Sequence, residues 1–243
     1  MNQITFEIVE SLKPLKGDFP ENYTWEIQEN ILKEIDLKIN GAENNFEKNV
    51  SLKLKLNEAL ENANEEEFLK LSYWFIKKWG GISGFKENEK NNNKINDVRK
   101  GIIDFGSIAS FSKIASVFNP EEYCIYDSRT IYALNWLIFR TKPNGIKYFP
   151  TPIGRNKTLQ NFNISTLINF FNIERQIDDI YYKKEEAYNI YCSLLKEINL
   201  NLWDDENWKK YPFYTEMLLF SLSPDQILNE VKKNIKIEVI FPH

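Results

Sequence analysis

Two residues stand out for the chemistry they could do. Lys113 lies in SFSKIASVF, a small and otherwise apolar segment, and Asp127 opens DSRTIYALNWL fourteen residues later. A lysine amine that is partly removed from water can lose its proton and attack an electrophilic carbon. A carboxylate brought beside it across the intervening turn could act on a water, orient the amine or stabilise a developing cation. The plainer alternatives are a surface lysine and a helix cap. Arg129 is placed to clamp a phosphate or carboxylate, or to pair with Glu121 or Glu122. Tyr126 could stack on a base or close the core.

The elements that must position these groups are readable from Ser107 to Arg140. Helical spacing carries Ile114, Ala115, Val117 and Phe118 up to a break at Asn119-Pro120, with Ser107 or Ser110 as the cap. Asp127 suits the N-cap of the next helix, because its carboxylate can accept from unpaired N–H groups of the first turn. The run from Ile131 to Phe139 is apolar on nearly every face, with Asn135 as its polar interruption, so that helix should be central.

Around this pair the pattern is helical. Trp25 to Ile39 reads as a helix ending near Asn40-Gly41, and Val50 to Ala63 as another. Asn64 followed by three glutamates caps a third, whose stripe Phe68, Leu71, Trp74, Phe75, Ile76 and Trp79 ends at Gly80-Gly81. Trp74 and Trp79 are core residues by default. The polar run from Gly84 to Asn96 reads as an exposed loop, and Ile95 to Ile103 as a helix broken near Gly106. The connection from Thr141 to Asn163 is a long loop. Ser165, Glu185 to Ile198, Pro212 and Pro224 mark later helices. Ile4, Phe6 and Ile8 alternate, as do Ile235 to Phe241, which predicts a short terminal β pair, an extended arm being the other option for residues 4–8.

Composition excludes several classes. The chain has 243 residues, of which 42% are hydrophobic and 14% aromatic, enough for a substantial core. A formal charge of −4 argues against a broad nucleic-acid coat and leaves room for a local basic face. Two cysteines and one histidine give no metal cluster, disulfide framework or Ser-His-Asp arrangement, so neither a metal nor another cofactor is expected. No signal peptide or membrane span is visible, and the expected location is the cytoplasm.

The segment SFSKIASVFNPEEYCIYDSRTIYALNWL resembles a bacterial group of proteins with the 8-oxoguanine DNA glycosylase fold, within the helix-hairpin-helix glycosylase superfamily. YPFYTEMLLFSL is similar to that group's closing helix. The resemblance spans roughly residues 74–140 and 211–223. It implies a mainly α fold over residues 1–243, in one unit of one or two lobes, with the hairpin and active-site region within 70–158. It further implies a DNA glycosylase, with AP-lyase activity open to it, acting as a monomer on double-stranded DNA that carries a damaged or modified base. Lys113 would attack the sugar C1′ and Asp127 would assist departure of the base. Ser110, Ser112, Arg129, Arg140 and Arg155 would contact DNA, and Trp79, Phe111, Tyr126, Tyr132 and Trp136 are candidates for the base pocket. Two other readings compete: a DNA-binding, base-sensing relative with little catalysis, acting in anti-phage defence, and a helical protein-interaction module.

Overall fold

The computed structural model describes residues 3–35, 37–39, 41–141, 146–154, 156–236 and 238. Among them the fold is mainly helical, and no β-strand occurs; a single isolated parallel bridge joins Tyr148 and Tyr181. The helices are α1 (Gln3–Leu12), α2 (Glu29–Leu32), α3 (Asn45–Asn62), α4 (Glu65–Trp74), α5 (Glu89–Val98), α6 (Ile108–Phe118) and α7 (Ser128–Thr141). They are followed by α8 (Lys157–Asn161), α9 (Ile164–Phe171), α10 (Ile177–Ile180), α11 (Lys184–Leu202), α12 (Glu206–Lys210), α13 (Phe213–Leu222) and α14 (Leu228–Asn234).

α7 is the central element. All ten residues from Thr130 to Phe139 are buried, and the helix packs against α1, α9 and α13. α6 lies between α3 and α5 and meets the last turn of the α4 region. That turn, Phe75–Trp79, widens into a π-helical turn before Gly80 and Gly81, and Gly81 ends it with φ +62°. Asn64 and Glu67 form a capping box at the start of α4.

Several expectations need correction. Residues 4–8 belong to α1, because the buried positions Thr5, Ile8, Val9 and Leu12 follow a helical period whereas Phe6 is half exposed. This removes one partner of the terminal β pair; most of the other, at 237 and 239–241, lies outside the described residues. The helix expected over 25–39 shrinks to α2. Before α2 a tertiary donor takes a carbonyl instead, Asn49 Nδ2 donating to Trp25 O at 2.7 Å, and the Trp74 indole adds a bond to Ile31 O within α2 at 2.9 Å.

The loop expected over 84–96 contains most of α5. Asn88 caps it by accepting from Asn91 N–H at 2.9 Å, Tyr73 Oη donates to Asn92 at 2.6 Å, and Ile95 and Val98 are buried. Two apolar anchors three residues apart are enough to hold a polar helix down. α5 then stops at Val98 rather than running to Ile103, and Gly101 turns the chain at φ +76°. Finally, capping differs from expectation at two starts. Ser107 occupies the N-cap of α6 without a side-chain bond, and Asn163, rather than Ser165, caps α9.

No helix among the described residues is long and apolar enough to cross a membrane.

Candidate active site

A cavity of about 560 Å³ opens where α6, α7, α13 and the 150–154 segment converge, and both Lys113 and Asp127 line it. Ligand pockets for small molecules and single nucleotides fall in this size range.

Lys113 reaches the cavity from the middle of α6 and is 7% exposed. Its Nζ folds back along the helix to donate to Ala109 O at 2.5 Å. Its aliphatic arm lies over Gly80, where a Cβ would come within 2.7 Å of Lys113 Cε and 2.8 Å of Cδ. Glycine at 80 therefore serves close approach, the end of α4's π turn making room for the lysine.

Asp127 is the N-cap of α7, as the sequence predicts. Its Oδ1 accepts from Arg129 N–H at 2.9 Å, Thr130 N–H at 2.9 Å and the Thr130 hydroxyl at 3.0 Å. Among the described residues Oδ2 receives no hydrogen bond, so the capping role leaves one oxygen for the cavity. Arg129 lines the same space, with its guanidinium 4.7 Å from the Phe220 ring centroid.

The inner wall holds a pair that sequence reasoning missed. Glu216 on α13 accepts from Lys53 Nζ of α3 at 3.1 Å, with side chains 5% and 1% exposed. Glu216 also receives Ile125 N–H at 3.5 Å and borders the cavity. Burial pushes its carboxyl above the usual range and Asp127 adds to that, while Lys53 opposes it. Lys53 Nζ sits 5.2 Å from the Phe213 ring and 5.9 Å from Trp79. Tyr23 lines the wall as well; burial, then Glu216 and Asp127, raise its phenol. The available signal was a lone carboxylate inside the apolar run YPFYTEMLLFSL, which a helix tolerates at a buried position only with a partner.

The other expected site residues divide sharply. Trp79 lines the cavity, its indole donating to Asn49 Oδ1 at 2.8 Å, and Ser110 lines it too. Ser112 is fully enclosed and accepts from Tyr126 N–H at 3.0 Å, tying α6 to the segment before Asp127 rather than facing a ligand. Phe111 packs on Phe85 in the core. Tyr126 stands behind the wall, where its hydroxyl donates to Pro150 O at 2.8 Å. Tyr132 donates to Phe162 O at 2.9 Å and Trp136 is buried against Phe139, both away from the cavity lining. α7 carries several aromatics, and only its first turn meets the opening. Arg140, at the far end of α7, pairs with Glu230 at 2.7 Å. Arg155 lies outside the described residues.

The 146–154 segment closes the remaining side. Asn135, the polar interruption of α7, donates to Phe149 O at 2.8 Å and accepts Phe149 N–H at 2.9 Å, both bonds being buried. Gly154 lies against Ser128, whose Oγ would be 2.2 Å from a Cβ there. Among the described residues no three His, Cys, Asp or Glu side chains gather as a metal site.

Comparison of the chain with protein-family models, with curated proteins and with solved structures returns no match.

Proposed function

We propose that the chain is a DNA glycosylase that draws a damaged or modified base out of the duplex and excises it, with Lys113 as the amine nucleophile. The observation that carries this reading is the convergence of Lys113 and Asp127 on one base-sized cavity walled by Tyr23, Trp25 and Trp79. Buried polar groups on that wall, Glu216 foremost, offer acceptors to the edge of a base, and aromatic rings offer faces to stack on. Ser107 is exposed at the start of α6 and makes no side-chain cap there.

In this mechanism the neutral Lys113 amine attacks C1′ of the extruded nucleotide. The N-glycosidic bond breaks, its electrons leave with the base, and the base takes up a proton. Asp127 stabilises the positive charge that builds on the sugar and accepts the proton lost from the attacking amine. The nitrogen lone pair then forms an imine as the C1′–O4′ bond breaks and O4′ takes up the proton held by Asp127, and loss of a C2′ proton with departure of the 3′ phosphate from that imine would cut the strand. Lys113 must first leave the Ala109 carbonyl. That resting contact also favours the competing reading, a base-sensing protein without chemistry.

Borohydride trapping separates the two. It reduces the imine to a stable amine, so wild-type protein should form a covalent adduct on at least one duplex from a panel with 8-oxoguanine, uracil, thymine glycol, modified cytosines or an abasic site. The adduct should vanish in Lys113→Ala. Binding without adduct or base release would leave the base-sensing reading, and absence of binding to any duplex at low salt would remove DNA altogether.

A further inference from the structure

We infer that Ile153 is the side chain that enters the duplex and fills the gap left when a nucleotide turns into the cavity; this rests on the base-excision reading above. Ile153 is 99% exposed, the highest value among the large apolar side chains described, yet it borders the same cavity as Lys113 and Asp127. An isoleucine offered wholly to water on a wandering loop would mean little. Here the backbone on either side is fixed. Pro150 and Pro152 restrict φ before it. Tyr126 Oη holds Pro150 O at 2.8 Å, and Thr151 Oγ1 meets Ser165 Oγ at 3.1 Å. After it, Gly154 is pressed against Ser128 and its carbonyl accepts from Gln160.

The result is a stiff projection, led into by two prolines, with an apolar tip beside a nucleotide-sized opening. Charge around that opening selects the occupant. Lys184 on the exposed rim and Arg129 within are cations suited to the phosphates flanking an extruded nucleotide. An apolar wedge between base steps stabilises the unstacked duplex and keeps the extruded base from returning.

The test uses the full chain and two probes. A duplex with a tetrahydrofuran abasic analogue beside 2-aminopurine reports unstacking by fluorescence, and borohydride trapping on a natural abasic site is compared between duplex and single strand. Wild type should raise the fluorescence. In Ile153→Ala that rise should be lost and the ratio of duplex to single-strand trapping should fall about tenfold. Ile153→Leu should restore both. If Ile153→Ala matches wild type in fluorescence and in the trapping ratio, the wedge assignment is wrong and the glycosylase reading stands. If wild type neither traps nor unstacks any duplex, both fall together. Loss of a homo-oligomer in Ile153→Ala, seen by light scattering with the DNA measurements unchanged, would make this tip a contact between copies and overturn the assignment.

Discussion

The inner wall of the cavity and its rim are built on opposite principles. On the wall, Lys53 and Glu216 are withdrawn from water and satisfy each other across a 3.1 Å contact between α3 and α13. On the rim, 146–154 has no regular structure beyond the bridge at Tyr148; buried side chains of neighbouring elements hold its backbone, and Ile153 is left in solvent. The difference shows how a helical protein obtains a precise pocket. Charged groups are fixed by burial and pairing, whereas the part that must meet a large solute is fixed through its backbone, leaving the side chain available.

Breaking the wall should produce the largest effect. Lys53→Met or Glu216→Leu alone strands a buried charge and should cost about 3–5 kcal/mol in urea unfolding. The double variant should recover most of that loss, since an apolar pair of similar volume avoids the desolvation cost. Two single losses that add in the double variant would show that the pair is not coupled. On the rim, Asn135→Leu removes both bonds to Phe149 and should cost about 1–3 kcal/mol, with faster proteolysis within 146–154. Equal protease resistance in the variant would mean that other contacts define this segment.

Gly80→Ala sharpens the comparison at the site itself. The φ of −76° suits alanine, but its Cβ would fall 2.7 Å from Lys113 Cε and 2.8 Å from Ile76 O, so the Lys113 arm and the π turn must both give way. Trapping should therefore fall about tenfold or more while unfolding changes by about 1–3 kcal/mol. Asp127→Asn should move stability least, by a few tenths of a kcal/mol, because asparagine also caps a helix. Base release should nonetheless be lost.

Glu216 on the wall and Asp104, which lies outside both regions, should respond oppositely to pH. Glu216 has a raised folded-state pKa, so its contribution is full below the unfolded value near 4.5 and is lost as pH rises through the folded value. Asp104, before α6, is held below its ordinary 3.8 by the Lys94 ammonium and then by Gly106 N–H. Its contribution is present above 3.8 and lost as pH falls through the folded value. Urea midpoints of wild type, Glu216→Gln and Asp104→Asn from acid to neutral pH should show these two slopes with opposite sign. A Glu216→Gln curve parallel to wild type would place the titration elsewhere.

Local sequence determined a good deal. The all-round apolar run after Asp127 made α7 central, and the acid ahead of it made the cap. Asn64 with Glu67 opened α4, and Lys113 stood out inside an apolar helix. Each of these depends on neighbours one to four residues away, which is the reach of helical periodicity and capping. Where a distant donor replaced a local hydrogen bond, as at Trp25, the same periodicity overestimated the helix.

Tertiary structure alone decided which buried residues meet the opening. Periodicity marks Phe111, Tyr126, Tyr132 and Trp136 as apolar positions, but burial against another helix and burial against a cavity leave the same trace in sequence. The Lys53–Glu216 pair joins positions 163 residues apart, and Asn135 finds Phe149 14 residues further on. Such pairings are set by the relative placement of packed helices, whose side chains must be satisfied wherever the packing brings them.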